Sequence, residues 1–136
     1  MTIVGQLNKI YFEEEWWQSH KETLAGITNY HQTMIDKQNL ICYVENGEIL
    51  GYYEIWKVNW KQLKSILKNK TFIAPFEDTL SGNICYLANL WVKKDCRKNY
   101  VFKKLKRIFN IHTESCDYFV GNETKNNNRL RFYRRK

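Results

Sequence analysis

The chain has a single proline, Pro75, no C-x-x-C pair and no long apolar run. Nothing approaches the ~18 consecutive apolar residues that a membrane helix requires, so no membrane span is expected. The opening residues 1–6 have neither the charged-then-apolar pattern of a secretory leader nor the Arg/Ser-rich character of a transit peptide. A cytoplasmic protein is expected, in a host cytoplasm or a virion if phage-encoded. Cys42, Cys85, Cys96 and Cys116 are widely separated, and His20, His31 and His112 do not fall at zinc-ligand spacing. No metal site is expected, and the thiols should be free. Scarce proline, with abundant Lys, Asn and Ile, points to an AT-rich genome such as that of a phage or low-GC bacterium.

Apolar residues make up 43% of the sequence and aromatics 15%, enough to build a core. The 136 residues suit one domain, 1–136, and no linker, repeat or low-complexity tract divides them. The net charge of +8 is unevenly spread: residues 1–57 sum to −4, 58–96 to +3 and 97–136 to +9. A cationic final third suits phosphate, whether on a nucleotide cofactor, a nucleic acid or an acidic partner.

Periodicity predicts a helix over 11–27, with Phe12, Trp16, His20, Leu24 and Ile27 on one face. Leu40–Val44 and Ile49–Val58 read as strands around an Asn46-Gly47 hairpin turn. Trp60–Lys68 reads as a short amphipathic helix, and Pro75 and Ser81-Gly82-Asn83 mark a loop. Ile84–Val92 is nearly all apolar, as expected of a central strand covered on both faces. After the polar turn 93–99, Val101, Leu105, Ile108 and His112 form one helical stripe. Cys116–Val120 reads as another strand, and Asn126–Lys136 as a basic terminal helix. A hairpin followed by strand–helix–strand gives a mixed α/β (α+β) sheet flanked by helices.

Two motifs within this order resemble the GNAT superfamily of N-acetyltransferases. The family's central strand ends in Val-x-Pro-x-Tyr-Arg-Gly-x-Gly-Ile-Gly and runs into a helix. Here Val92, Arg97, Val101 and Leu105 match within Val92-Lys93-Lys94-Asp95-Cys96-Arg97-Lys98-Asn99-Tyr100-Val101-Phe102. The family's late Asn-x-x-Ala-x-x-Leu/Phe-Tyr-x-Lys helix is similar to the stretch from Asn126 to Arg135, where Asn126, Phe132, Tyr133 and Arg135 match. The hairpin Asn46–Tyr52 is similar to the family's Gly-x-Ile/Val-x-Gly turn. The resemblance covers roughly residues 40–136.

It implies a GNAT-like fold and acetyl-CoA-dependent acylation of an amine on a small molecule or protein. A helix N-terminus, with its open N–H groups and positive dipole end, would hold the pyrophosphate. The residues so implied are Arg97, Lys98, Asn99, Tyr100, Val101 and Phe102, with Asn126. Backbone N–H groups near Leu90 and Val92 would polarise the thioester carbonyl, and Tyr133 would protonate the departing thiolate. The central strand contains no Glu, Asp or His, which leaves Glu54 and a water on Asn89 as candidates for the base. Tyr100 and Phe102 stand where the family has small residues. The family also continues past the Tyr helix into two more strands, so the resemblance implies a member truncated at the C-terminus. Cys116–Val120 would then offer an uncovered edge to a protein partner or a second copy. That favours an alternative, a catalytically silent module binding a protein or belonging to a phage particle. A third reading is a basic nucleic-acid-binding protein. Against each sharp role stands a plain one: Tyr133 as a packing aromatic, Arg97 as a solvated turn residue and Arg129–Lys136 as a solvated basic face.

Overall fold

The computed structural model describes residues 1–13, 23–69, 82–96, 100–123 and 129–134. Their order is α1 (Ile3–Glu13), α2 (Leu24–Asp36), β1 (Leu40–Glu45), β2 (Glu48–Val58), α3 (Trp60–Asn69), β3 (Ile84–Val92), a 3₁₀ turn (Lys94–Cys96), α4 (Tyr100–His112), β4 (Tyr118–Glu123) and β5 (Arg129–Arg134). The strands form one mixed sheet in the order β1-β2-β3-β4-β5, parallel only between β3 and β4.

Local chemistry sets most of the boundaries. Asn46 and Gly47 both take positive φ, 52° and 78°, as the tight β1–β2 hairpin demands. Gln6 on α1 clamps that turn, its Nε2 donating to the Gly47 carbonyl (2.7 Å) and its Oε1 accepting from the Ile49 N–H (2.8 Å). Asn59 and Gln62 cap α3 reciprocally: each side-chain oxygen accepts from the other's backbone N–H at 2.8–2.9 Å.

The helices divide between the two faces. Leu7 of α1, Met34 of α2 and Leu63 of α3 pack with Leu40, Ile49, Tyr52, Trp56, Val58, Ile84 and Tyr86. On the opposite face Val101 and Leu105 of α4 pack with Tyr53, Ile55, Cys85, Val92 and Cys116. Among the described residues α4 is the only helix on that face. Its C-terminal His112 holds its Nδ1 2.6 Å from the Tyr53 hydroxyl. None of the four cysteines is in a disulfide, and no helix among the described residues is long and apolar enough to cross a membrane.

Two expected helices are corrected. In place of one helix over 11–27, α1 ends at Glu13 and α2 begins at Leu24; residues 14–22 lie outside those described. The reason is Thr23, whose hydroxyl accepts from the Gly26 N–H (3.0 Å) and starts a new helix. Ile27, His31 and Met34 are its buried stripe. The terminal basic helix is also absent: residues 129–134 form β5, antiparallel to β4 through six residue pairs from Glu123↔Arg129 to Tyr118↔Arg134. Apolar Leu130 and Phe132 alternate as a strand requires, and the outer N–H and C=O groups of β4 need a partner. The uncovered edge expected on Cys116–Val120 is therefore closed by β5, and that strand itself begins at Tyr118.

Gly51 lets α4 approach the sheet, since a Cβ there would fall 2.8 Å from Leu105 Cδ1 and 3.2 Å from the Trp91 carbonyl oxygen. Gly51→Ala should destabilise by about 1–3 kcal/mol through overpacking. Gly47→Ala meets open space but a left-handed φ, and should cost about 1 kcal/mol. Urea denaturation of the two variants checks the order.

Candidate functional site

β3 is held unequally by its neighbours. It pairs with β2 from Ile84 to Val92, but with β4 only at Ile84↔Tyr118, Cys85↔Phe119 and Tyr86↔Val120. Beyond Tyr86 the two parallel strands part. The register against β2 jumps from Ile55↔Leu87 to Glu54↔Asn89, leaving Ala88 as a bulge at the start of the gap. The Lys93 N–H donates to the Leu50 carbonyl on β2 (2.9 Å). Backbone direction alternates along a strand, so the Leu90 and Val92 N–H groups project from the opposite edge of β3, towards the gap.

α4 begins at Tyr100, just past the C-terminal end of β3. Val101 and Leu105 fix its pose by burial under the sheet. The ring of Tyr100 lies edge-on to Tyr43 at 6.0 Å, and its hydroxyl donates to the Glu45 carboxylate, which also accepts from the Tyr43 hydroxyl. Both partners belong to β1, so this side chain turns across the sheet, away from the gap. Phe102 is exposed on α4. Arg97, Lys98, Asn99 and Asn126 lie outside the described residues. Tyr133 stands in β5 opposite Phe119, so the acid role implied by a terminal helix has no such helix behind it.

The two candidates for the base do come together. Glu54 and Asn89 are direct cross-strand partners on β2 and β3. Glu54 is 2% exposed and receives the Tyr30 hydroxyl of α2 on Oε2 (2.7 Å); that hydroxyl accepts from Trp56 Nε1 (3.0 Å). Burial pushes the Glu54 carboxyl up to about 7, although the Tyr30 hydrogen bond pulls the other way. Asn89 is half-buried, and its Nδ2 donates to the Tyr52 hydroxyl (2.7 Å), leaving Oδ1 as its accepting end. Tyr52 stacks on Trp91 at 5.9 Å, and Trp56 lies 5.7 Å from Tyr86. Together these form an aromatic wall around a carboxyl that titrates near neutrality. Tyr30, Trp56 and Tyr52 were not singled out in the sequence. Tyr30 belongs to α2, whose cap Thr23 falls inside the longer helix that the periodicity predicts. Among the described residues no group of His, Cys, Asp or Glu could hold a metal ion.

No family model matches the sequence, and no curated protein matches it. Solved structures do. The chain is similar to the GNAT-like decarboxylase GphF in complex with isobutyryl-CoA, at 12% identity and TM-score 0.54 over 74% of this chain and 51% of that one. It is similar to an N-acetyltransferase from Staphylococcus aureus Mu50 at 11% identity and TM-score 0.54, over 88% and 64% of the two chains. It is also similar to a ribosomal-protein-alanine N-acetyltransferase from Brucella melitensis at 13% identity and TM-score 0.50, over 92% and 69%. The chain thus spans between half and just over two thirds of these proteins. It has the GNAT fold.

On the same side of the sheet, His31 is buried with Nδ1 2.8 Å from Asn8 Oδ1, while Asn8 Nδ2 donates to the Thr28 hydroxyl (2.8 Å). Asn8 Oδ1 can only accept, so His31 Nδ1 carries the hydrogen. Burial lowers this imidazole to about 4. Folded Glu54 binds its proton more tightly than the unfolded chain does, so its contribution to stability falls as pH rises from about 4.5 to about 7. Folded His31 binds its proton less tightly, so its contribution rises between about 4 and 6.5. Each displacement is worth on the order of 3 kcal/mol, and the two nearly cancel where they overlap. Glu54→Gln should unmask a stability that climbs from pH 4 to 6.5, and His31→Gln one that declines towards pH 7. Urea midpoints across that range check both slopes.

Proposed function

We propose that this chain is a CoA-dependent N-acyltransferase. The observation that carries this reading is the parting of parallel β3 and β4 beside the start of α4, with the Leu90 and Val92 N–H groups aimed into the opening. Acyl-CoA, when bound, supplies a thioester whose carbonyl an amine can attack.

The residues present fit such a ligand. The N-terminal end of α4, from Tyr100 to Phe102, would receive a pyrophosphate at its positive dipole end, and Arg97, Lys98 and Asn99, which precede it in the sequence, would add positive charge and polar groups. Tyr100 leaves that opening clear because its hydroxyl is engaged on β1. The N–H groups near Leu90 and Val92 would donate to the carbonyl oxygen as it gains charge on attack by the amine; that charge returns to the C=O as the C–S bond breaks, and CoA would leave as a thiolate that takes its proton from solvent. The proton lost by the amine passes to Glu54, through a water on Asn89 Oδ1. A carboxyl at about 7 is half ionised at neutral pH, the condition a general base needs there. The aromatic wall of Tyr52, Trp91, Tyr86 and Trp56 suits an acceptor that enters on the face of α1 and α2.

Titration calorimetry with acetyl-CoA should give saturable heat at millimolar ligand and low salt; absence of heat and of any thermal shift overturns the reading. With an amine panel, kcat/KM should rise with pH around a midpoint near 7. Glu54→Gln should lower it by roughly 10²-fold or more while acetyl-CoA still binds.

A further inference from the structure

α4 carries a charge pattern that acyl transfer leaves unexplained. Lys103, Lys104, Lys106 and Arg107 are all exposed, and no acidic residue occurs from Tyr100 to His112. The only ion pair among the described residues, Lys93 with Glu48, lies elsewhere. Asp95 and Glu114 stand beyond the two ends of the helix. Lys103–Lys106, Lys103–Arg107 and Lys104–Arg107 fall at spacings of three or four, where like charges oppose a helix. Lys103 also sits near the positive dipole end, with no carboxylate in the first turn to offset it. The helix is therefore electrostatically unfavourable by itself, and a dense line of negative charge would relieve it.

Its position adds to the argument. At 100° per residue, Lys103 and Arg107 stand at the crest opposite the buried seam of Val101 and Leu105, about 6 Å apart along the axis, with Lys106 beside them. Exposed Phe102 and Ile108 lie nearer the seam, and exposed Ile111 lies on the flank one turn beyond Arg107, so none of the three stands at the crest. A membrane surface calls for the reverse arrangement, an apolar crest flanked by cations. α4 is the only helix among the described residues on its face of the sheet, and its crest is the outermost layer of those residues on that side.

We propose that the outward face of α4, centred on Lys103, Lys106 and Arg107, docks the sugar–phosphate backbone of a nucleic acid. Contacts of this kind are to phosphates and carry no sequence preference. The full chain is titrated by fluorescence anisotropy against a 20-nucleotide RNA, the same sequence as single-stranded DNA, and a 20-base-pair duplex, from 50 to 200 mM NaCl. At least one should bind with affinity that falls steeply with salt, and the three arms distinguish RNA from DNA. K103Q/K106Q/R107Q should weaken binding at least tenfold at 50 mM, and each lost cation should flatten the logarithmic salt slope by about 1. The triple variant should melt no lower than the parent, because it removes like-charge pairs. Should it melt lower, Lys103→Gln alone decides, with an expected slope change of about 1. The proposal is overturned if no nucleic acid binds at 50 mM, or if the variants keep the parental affinity and slope. It is equally overturned if polyglutamate displaces the RNA at equal charge concentration, or if phosphatidylserine vesicles bind where nucleic acid does not.

Discussion

A strand that keeps one neighbour for eight residue pairs and the other for three must leave backbone groups facing an opening. β3 is in that position, and the rest of the architecture follows from it. β4 satisfies its other edge by pairing six residues with β5, so it is not drawn back towards β3. β2 holds the far half of β3 in line, and α4 is pinned across the sheet by Val101 and Leu105 against Gly51. The opening is thus bounded by ordered strands and by the start of a helix.

The two faces of the sheet have divided their chemistry. Buried polar groups gather under α1 and α2: Glu54, His31 and Asn8 are each less than 10% exposed. Under α4 the core is largely apolar, with the Tyr53–His112 hydrogen bond at its rim, and charge is kept to the outside of the helix. Burying a carboxyl raises the energy of its charged form, and one hydroxyl from Tyr30 only partly offsets that. An apolar residue at position 54 would make a simpler core. Glu54 instead stands beside Asn89, one strand from the opening, where the proposed proton transfer would use it.

The sheet was legible where the pattern was local. β3 is an apolar run broken only by Asn89, with the boundaries expected of it; the Asn46-Gly47 turn fixes its own geometry, and the stripe of Val101 and Leu105 makes α4 unambiguous. The terminal segment is ambiguous for a definable reason. Leu130, Phe132 and Tyr133 suit a helical contact as well as an alternating strand, and the similarity to a family helix tipped the reading. What decides is non-local: the outer edge of β4 accepts a strand and has no use for a helix there. The pair Glu54 and Asn89 could be picked out by residue type within the expected strands, but their adjacency depends on the bulge at Ala88, which no residue pattern announces. Tyr30 was hidden for the same kind of reason, since its helix begins at a cap that lay inside a plausible longer period.

The aromatic residues at the head of α4 show where matching by residue identity runs out. Glycines in a phosphate turn matter because they keep side chains out of the way, while the donors themselves are backbone N–H groups common to every residue but proline. A side chain held elsewhere serves the same end. Tyr100 is held by its hydroxyl on Glu45 and its ring on Tyr43, two residues of β1, with β2 and β3 between that contact and the opening. Glu45 and Tyr43 therefore do for this helix start what a missing side chain does elsewhere, and they sit in a strand that no phosphate motif includes. The direction Tyr100 takes is a property of the folded sheet, and the sequence of the turn alone cannot express it.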